Sequence, residues 1–131
     1  MYVYYGTYHH GFGQLKIGQT SNIKQRTNSL YYRDCIVVEE FVELPAGCSR
    51  LANALFVESY LRMRLLQYAY EHPSLGMYHA STDYFNYKYR YYGIVEKNFK
   101  HLFFKWVNEA IEIMKKVLDK LLNLCYNTYR K

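Results

Sequence analysis

The chain has 131 residues, half of them hydrophobic, and a formal net charge of +6 at neutral pH. This length suits one domain with a modest core rather than two domains, and the hydrophobic fraction excludes a disordered chain. The positive charge favours a polyanionic partner over an acidic protein surface. Seventeen tyrosines supply flat rings that stack on nucleic-acid bases, but such rings serve equally well at the rim of a core.

The cysteines and the hydropathy pattern bear on the cellular compartment. Cys35, Cys48 and Cys125 are widely spaced and never form a Cys-x-x-Cys pair, so neither a disulfide framework nor a zinc site is indicated. The first residues show no basic segment followed by an apolar run, and no stretch approaches the roughly 18 apolar residues of a membrane helix. We therefore expect an intracellular protein of the cytoplasm or nucleus that is not secreted and has no membrane partner.

The chain begins with a predicted pair of strands. Residues 2–5 are rich in tyrosine and valine and predict the first strand, and Lys-Ile-Gly at residues 16–18 closes the second. Gly11 and Gly13 are the flexible points of the loop between them. This pattern indicates a hairpin at the start of the fold.

A helix is predicted directly after this hairpin. Thr20 and Ser21 offer hydroxyls that can cap it, and residues 23–31 form its body. Arg26 lies one turn into the helix. The arrangement brings four residues into one area, a plausible setting for a phosphate: Tyr4, Lys16, Gly18 and Arg26.

A third strand and a long helix follow. Residues 36–44 are β-branched and partly alternating, which predicts a strand that ends at residues 45–47. Ser49 can cap a helix over residues 50–70, which has no internal glycine or proline. Its apolar stripe, expected to face the sheet, consists of Leu51, Ala54, Leu61 and Leu65.

Glu58 falls in the middle of that stripe, where a carboxylate is costly unless a cation or hydrogen bonds meet it. Arg26 shows the same anomaly with the opposite sign on the first helix. Two interpretations stay open. The two residues form a buried salt bridge or extend to water, or both line a cleft that holds a divalent metal and a phosphate.

The helical pattern stops between residues 72 and 93, where Pro73, Gly76 and Gly93 interrupt it. Residues 77–79 and 84–87 form either short strands or irregular loop. Residues 88–92 interleave cations with aromatic rings, which suits a groove for phosphates and bases. The alternative for this last run is an edge strand with solvated charges.

Residues 95–129 predict one long amphipathic helix or two shorter ones. The apolar face is wider than a two-stranded coiled coil uses, which indicates packing on its own domain or a broad dimer interface. The basic outer face is solvated or lies along DNA. The seam that predicts the helix consists of Phe99, Phe103, Trp106, Ala110, Ile113, Val117, Leu121 and Leu124.

Taken together, four of these positions resemble the GIY-YIG nuclease superfamily in their order and in the element that carries each: Tyr4, the Lys-Ile-Gly run at 16–18, Arg26 and Glu58. The chain is similar to the branch of phages and large DNA viruses, in which Lys-Ile-Gly is followed by Thr and Ser. Residues 82–85 are similar to the acidic-aromatic segment that closes the domain of that branch, and Asn86 is near the family's late asparagine.

Three departures from the family pattern stand out. Tyr2 occupies the place of the first motif's glycine, and Lys16 replaces the second motif's tyrosine. Leu30 stands where many members carry a histidine, for which His9 or His10 offers a substitute. Tyr5 is the alternative to Tyr4 as the tyrosine of the first motif, although it is shifted by one residue from the motif position.

The resemblance implies an α+β fold with a small, three-stranded, mostly antiparallel sheet flanked by helices, plus the long C-terminal helical segment. The implied division is a nuclease domain over residues 1–92 and a helical extension over residues 93–131. The extension packs on the domain or forms a homodimer interface.

The resemblance also implies a metal-dependent endonuclease that hydrolyses phosphodiester bonds of DNA, most readily double-stranded DNA. Glu58 would hold Mg²⁺ or Mn²⁺, Arg26 would grip the scissile phosphate, and Tyr4, helped by Lys16, would orient or deprotonate the attacking water. Two alternatives remain: a catalytically silent nucleic-acid-binding module of the same fold, and an assembly protein. The residues expected to bind nucleic acid are Gly18, Lys24, Lys88 and Arg90.

Overall fold

The computed structural model of the chain describes residues 1–8, 14–71, 77–81, 84–87 and 92–130. The elements, in chain order, are β1 (Tyr2–Tyr8), β2 (Gln14–Thr20), α1 (Ile23–Asp34), β3 (Ile36–Glu43), a short 3₁₀ turn (Ala46–Cys48), α2 (Leu51–Glu71), β4 (Met77–Ser81), β5 (Tyr84–Tyr87) and α3 (Tyr92–Arg130). The predicted α+β class, with a long C-terminal helix, is confirmed.

The strands form one antiparallel sheet in the order β3-β1-β2-β5-β4. The three strands predicted from the sequence are β1, β2 and β3. The two segments left open between strand and loop are the short strands β4 and β5, which extend the sheet beyond β2. Since β5 pairs only with Gln14, Leu15 and Lys16, the second half of β2 has no strand on that side among the described elements.

The molecule has three layers, with helices on both faces of the sheet. Successive side chains of β1 point to opposite faces and therefore contact different helices. Tyr4 packs with Leu30 of α1 and with Ile36. Tyr5 belongs to the main core, which α2 and α3 complete. Helix α1 therefore covers one face of the sheet, and α2 and α3 cover the other.

The main core is apolar apart from its edges. From α2 it takes Ala54, Leu61 and Leu65 of the predicted stripe, whereas Leu51 is 56% exposed and lies outside it. Val57, which was not part of the predicted stripe, is buried in the main core. The prediction for Leu51 was wrong: it is the first residue of α2 and is exposed.

The start of α1 differs from the prediction in its cap. The side chain of Asn22, not of Thr20 or Ser21, accepts the hydrogen bond from the Gln25 amide, at 3.1 Å. The Thr20 hydroxyl instead bonds the backbone of Asn22, accepting from its amide at 3.1 Å and donating to its carbonyl at 3.2 Å. The β2–α1 junction is therefore held by the side chains of Thr20 and Asn22, two residues apart.

Helix α3 is a single helix of 39 residues, which decides between the two predicted alternatives. Its first half enters the main core through Phe99, Phe103, Trp106 and Ala110. The later members of the seam are exposed: Ile113, Val117, Leu121 and Leu124. The homodimer through this helix and the division at residues 92 and 93 stay predictions.

A polar network joins α2 to α3 beside the core. The Tyr60 hydroxyl donates to Glu109 Oε2 at 2.7 Å, and Arg64 Nε lies 3.5 Å from the same oxygen. The Arg64 guanidinium also lies over the Trp106 ring, 5.6 Å from its centroid. Partial burial raises the pKa of Tyr60, and the Glu109 hydrogen bond and charge raise it further, against an opposing effect of Arg64.

Two further observations concern the cysteines and the helices. All three cysteines are free thiols. Within the described ranges, none of the helices combines the length and the apolar character needed to cross a bilayer.

Candidate functional site

The candidate site begins where β1 and β2 pair. Tyr4 lies directly opposite Gly18 in the antiparallel register. A Cβ atom built on Gly18 would lie 2.6 Å from Tyr4 Cζ, which is shorter than the contact distance of two non-bonded carbon atoms. The glycine of the Lys-Ile-Gly run therefore leaves the space that the Tyr4 ring occupies.

Lys16 and Gly18 lie on the same face of β2 as Tyr4 does on β1, because both strands alternate in register. Lys16 is partly exposed, whereas Tyr4 is only 1% exposed and its ring packs against Leu30 and Ile36. The sheet thus brings Tyr4, Lys16 and Gly18 together, as predicted, on the face that α1 partly covers.

Tyr5, the fallback for Tyr4, points to the opposite face. Its ring makes edge contacts with Phe99 at 4.7 Å and Phe103 at 4.8 Å between centroids. It is buried in the main core between the sheet and α3. Tyr4 is therefore the tyrosine that shares a face with Lys16 and Gly18.

A polar hollow of about 370 Å³ runs along α1. The residues that line it come from the end of β2, the β2–α1 junction and one side of the helix: Thr20, Ser21, Asn22, Gln25, Arg26, Ser29 and Arg33. All of them are polar or charged, and the two charged ones are cations. Such a lining is chemically suited to an anion that accepts hydrogen bonds.

Arg26 is exposed at this hollow, one helical turn before Leu30, which packs on Tyr4. Residues four apart on a helix share a face, so Arg26 lies on the side of α1 that borders the Tyr4 face of the sheet. Within the described part of the chain, its guanidinium forms no ion pair with a carboxylate.

Glu58 is 7% exposed and lies on α2 between the buried residues Ala54 and Leu61. Among the described residues no ion pair joins it to Arg26. Arg26 is exposed, so the interpretation of the two residues as a buried salt bridge is wrong. Helices α1 and α2 lie on opposite faces of the sheet. The expectation that Arg26 and Glu58 line one cleft stays a prediction.

Several predicted residues fall elsewhere. Lys24 is exposed in the first turn of α1 and does not line the hollow. Other predicted residues lie outside the described residues: His9, His10, Lys88 and Arg90. Asn86 is part of β5 and pairs with Gln14, but its side chain lies outside the description.

The sequence analysis missed four residues of the hollow: Asn22, Gln25, Ser29 and Arg33. Together with Arg26 the last three recur at steps of one, three and four residues, which keeps Arg26, Ser29 and Arg33 on one side of a helix. This polar spacing was available in the sequence. The predicted helix ended at residue 31, so Arg33 lay outside it, whereas α1 continues to Asp34.

The carboxylates do not form a cage for a metal. Among the described residues no group of three or more His, Cys, Asp or Glu side chains is placed to hold one. Mg²⁺ keeps several waters and is commonly bound through one or two carboxylates plus substrate phosphates. A hard cation at Glu58 would therefore need waters and substrate phosphates as its remaining ligands.

These features define a small, basic α+β domain with an arginine-lined hollow beside its sheet. The T5orf172 domain family matches residues 1–122, and the chain belongs to that family. Membership indicates a nuclease-like domain with a nuclease or DNA-binding role. The match includes most of α3. Comparisons with curated proteins and with solved structures give no significant match.

Proposed function

We propose that the protein is a metal-dependent endonuclease that hydrolyses DNA phosphodiester bonds at a GIY-YIG-type site. The observation that carries the proposal is the exposed Arg26 at a polar hollow beside the face where Tyr4, Lys16 and Gly18 lie together. The nuclease-like family membership supports it.

Arg26 would bind the scissile phosphate. Its planar guanidinium is always charged and forms paired hydrogen bonds with phosphate oxygens. It would also offset the charge that develops on those oxygens in the transition state. The polar side chains around it favour an anion, because they donate hydrogen bonds and bring no carboxylate.

Glu58 would hold Mg²⁺ or Mn²⁺. When bound, such an ion polarises phosphate oxygens and stabilises a leaving oxygen. The open side of β2 after Lys16 offers a route by which a side chain from α2, which packs on β2, could reach the face that carries Tyr4. The proposal requires Glu58 to use this route.

Tyr4 would orient or deprotonate the attacking water. Free tyrosine titrates near pH 10, about three units above neutrality, so deprotonation requires a nearby cation. Lys16 projects from the same face of the sheet and would serve as that cation. This pair gives the chain its own means to position the nucleophile.

The test is nicking of supercoiled plasmid in EDTA, Mg²⁺ and Mn²⁺. Glu58→Gln and Arg26→Gln should each slow metal-dependent nicking by about 10²-fold or more. The matched controls are Glu71→Gln and Arg50→Gln, which change exposed residues outside the hollow and should cut normally. Wild-type rates in either site variant would contradict the assignment.

The second candidate is a DNA-binding domain of the same fold that performs no chemistry. Leu30, in the usual place of a catalytic histidine, is 2% exposed and packs on Tyr4, and this favours the silent domain. Such a protein would bind DNA with an affinity that falls steeply with salt. It would leave plasmid intact in every metal.

A further inference from the structure

The hollow along α1 is longer than one phosphate requires. It extends from Thr20 at the end of β2 to Arg33 in the last turn of the helix. Arg26 and Arg33 are both exposed, and within the described residues neither forms an ion pair with a carboxylate. Two cations with unengaged guanidinium groups therefore share one polar surface.

The spacing of these cations matches a nucleic-acid backbone. Seven residues are close to two helical turns, so Arg26 and Arg33 lie on the same side of α1, about 10 Å apart along its axis. Ser29 lies between them and adds a hydroxyl donor. Phosphates of one DNA strand recur about every 3.4 Å along the duplex axis, so the two side chains would meet different phosphates of one strand.

We infer that Arg33, assisted by Ser29, binds a second phosphate of the DNA strand whose scissile phosphate Arg26 binds. This inference rests on the proposed function, because it assigns Arg26 to the scissile phosphate. Arg33 is a binding and positioning residue. It sets where the strand lies along α1 and takes no part in the chemical step.

The lining of the hollow identifies the backbone, and not the bases, as the ligand. Arginine, serine, threonine, asparagine and glutamine donate hydrogen bonds to phosphate oxygens. Among the described residues no aromatic ring lines this hollow, so these residues offer no stacking platform for a base. Contacts of this kind fix the register of the strand without reading its sequence.

A purely structural role for Arg33 makes a different prediction. A cation in the last turn of a helix interacts favourably with the helix dipole and so stabilises the helix. Loss of that role would lower the melting temperature and leave DNA binding unchanged. Loss of a phosphate contact would change the salt dependence of binding.

The test measures binding of a fluorescent DNA duplex in EDTA over a series of salt concentrations. Arg33→Gln should weaken binding several-fold and reduce the slope of log K against log salt by about one. Arg50→Gln removes the same charge away from the hollow and should keep the wild-type slope. An unchanged slope in Arg33→Gln, with or without a lower melting temperature, would overturn the inference.

Two further measurements separate the possible outcomes. At limiting DNA with Mn²⁺, Arg33→Gln should cut more slowly in proportion to its weaker binding, whereas Arg26→Gln should also cut more slowly at saturating DNA. A large loss in Arg33→Gln at saturation would also overturn the inference. Inorganic phosphate should compete far more weakly than duplex at equal phosphate concentration, and equal competition would contradict a backbone site.

The inference and the proposed function can fail separately, since binding in EDTA does not depend on cleavage. If the wild-type protein cuts nothing but Arg33→Gln lowers the salt slope, the nuclease proposal fails and the second phosphate contact stands. If the wild-type protein cuts and the slope is unchanged, the reverse holds.

Discussion

Gly18 shows how one residue shapes the site. It faces Tyr4 across the β1–β2 pair, and the Tyr4 ring lies where a Cβ would be, 2.6 Å from Cζ. Both residues are buried, so neither can move aside easily. We expect Gly18→Ala to lower the free energy of unfolding by about 1–3 kcal/mol through overpacking, measured by urea denaturation.

Gly47→Ala is the matched control for this substitution, because nothing lies within 4 Å of a Cβ built there. It should change the unfolding free energy by less than about 0.5 kcal/mol. Gly18→Ala should cost less in a Tyr4→Leu background than in the wild-type protein, because the clashing atoms are absent there. Equal effects at Gly18 and Gly47 would contradict the contact between Tyr4 and Gly18.

Tyr60 provides a pH-dependent prediction. Its pKa is raised above the ordinary value near 10, first by partial burial and then by the hydrogen bond to Glu109. A raised tyrosine pKa favours the protonated form in the folded state. The contribution to stability is therefore complete below pH 10 and is lost as the pH rises through the folded-state pKa.

Tyr60→Phe should remove this contribution. The difference in unfolding free energy between wild type and Tyr60→Phe should be constant below about pH 10 and should shrink above it. Chemical denaturation at several pH values measures it, and the other tyrosines and lysines cancel in the difference. A difference that grows with rising pH would show that the sign of the shift is wrong.

At the scale of elements, α3 is part of the main hydrophobic core. Phe103 is fully buried and contacts the Tyr5 ring, whereas Phe41 on β3 is 50% exposed. Phe103→Leu should lower the unfolding free energy by about 1.5 kcal/mol or more, because it leaves a cavity in the core. Phe41→Leu is the matched control and should cost less than half as much.

The alternative outcome is informative about domain organisation. If Phe103→Leu and Phe41→Leu unfold at the same denaturant concentration, then α3 does not share a cooperative core with the sheet. The predicted division into residues 1–92 and 93–131 would then describe two independently stable parts. A large loss at Phe103 would show that the sheet and α3 unfold together.

The elements were largely predictable from the sequence because they depend on local patterns. The β-branched run at residues 36–44, the absence of breakers in α2 and the apolar repeat of α3 each indicated the observed type. Capping was less predictable: Thr20, Ser21 and Asn22 are all good N-cap residues, and only the path of the chain selects Asn22.

The candidate site was only partly predictable because it depends on contacts between elements. The shared face of Tyr4, Lys16 and Gly18 follows from strand alternation and the hairpin register, which the sequence supports. The hollow with Ser29 and Arg33 depends on how α1 lies against the end of β2. No sequence period reports that placement, although the spacing along α1 marks its polar side.

At the scale of the whole molecule, the nuclease proposal joins two faces of one sheet. Arg26 lies on α1, and Glu58 lies on α2 in the opposite layer. The chain's formal charge of +6 provides long-range attraction for DNA. Attraction alone does not hydrolyse a phosphodiester bond. The proposed hydrolysis requires Arg26 and Glu58 to act on the same phosphodiester.

The most direct measurement of this claim is the single-turnover rate of plasmid nicking in Mn²⁺ for Arg26→Gln, Glu58→Gln and the double variant. Residues that act as a unit give strongly non-additive losses. We predict that each single variant loses about 10²-fold or more and that the double variant is little slower than the slower single one. Losses that multiply in the double variant, or wild-type rates in either single variant, would contradict the shared site.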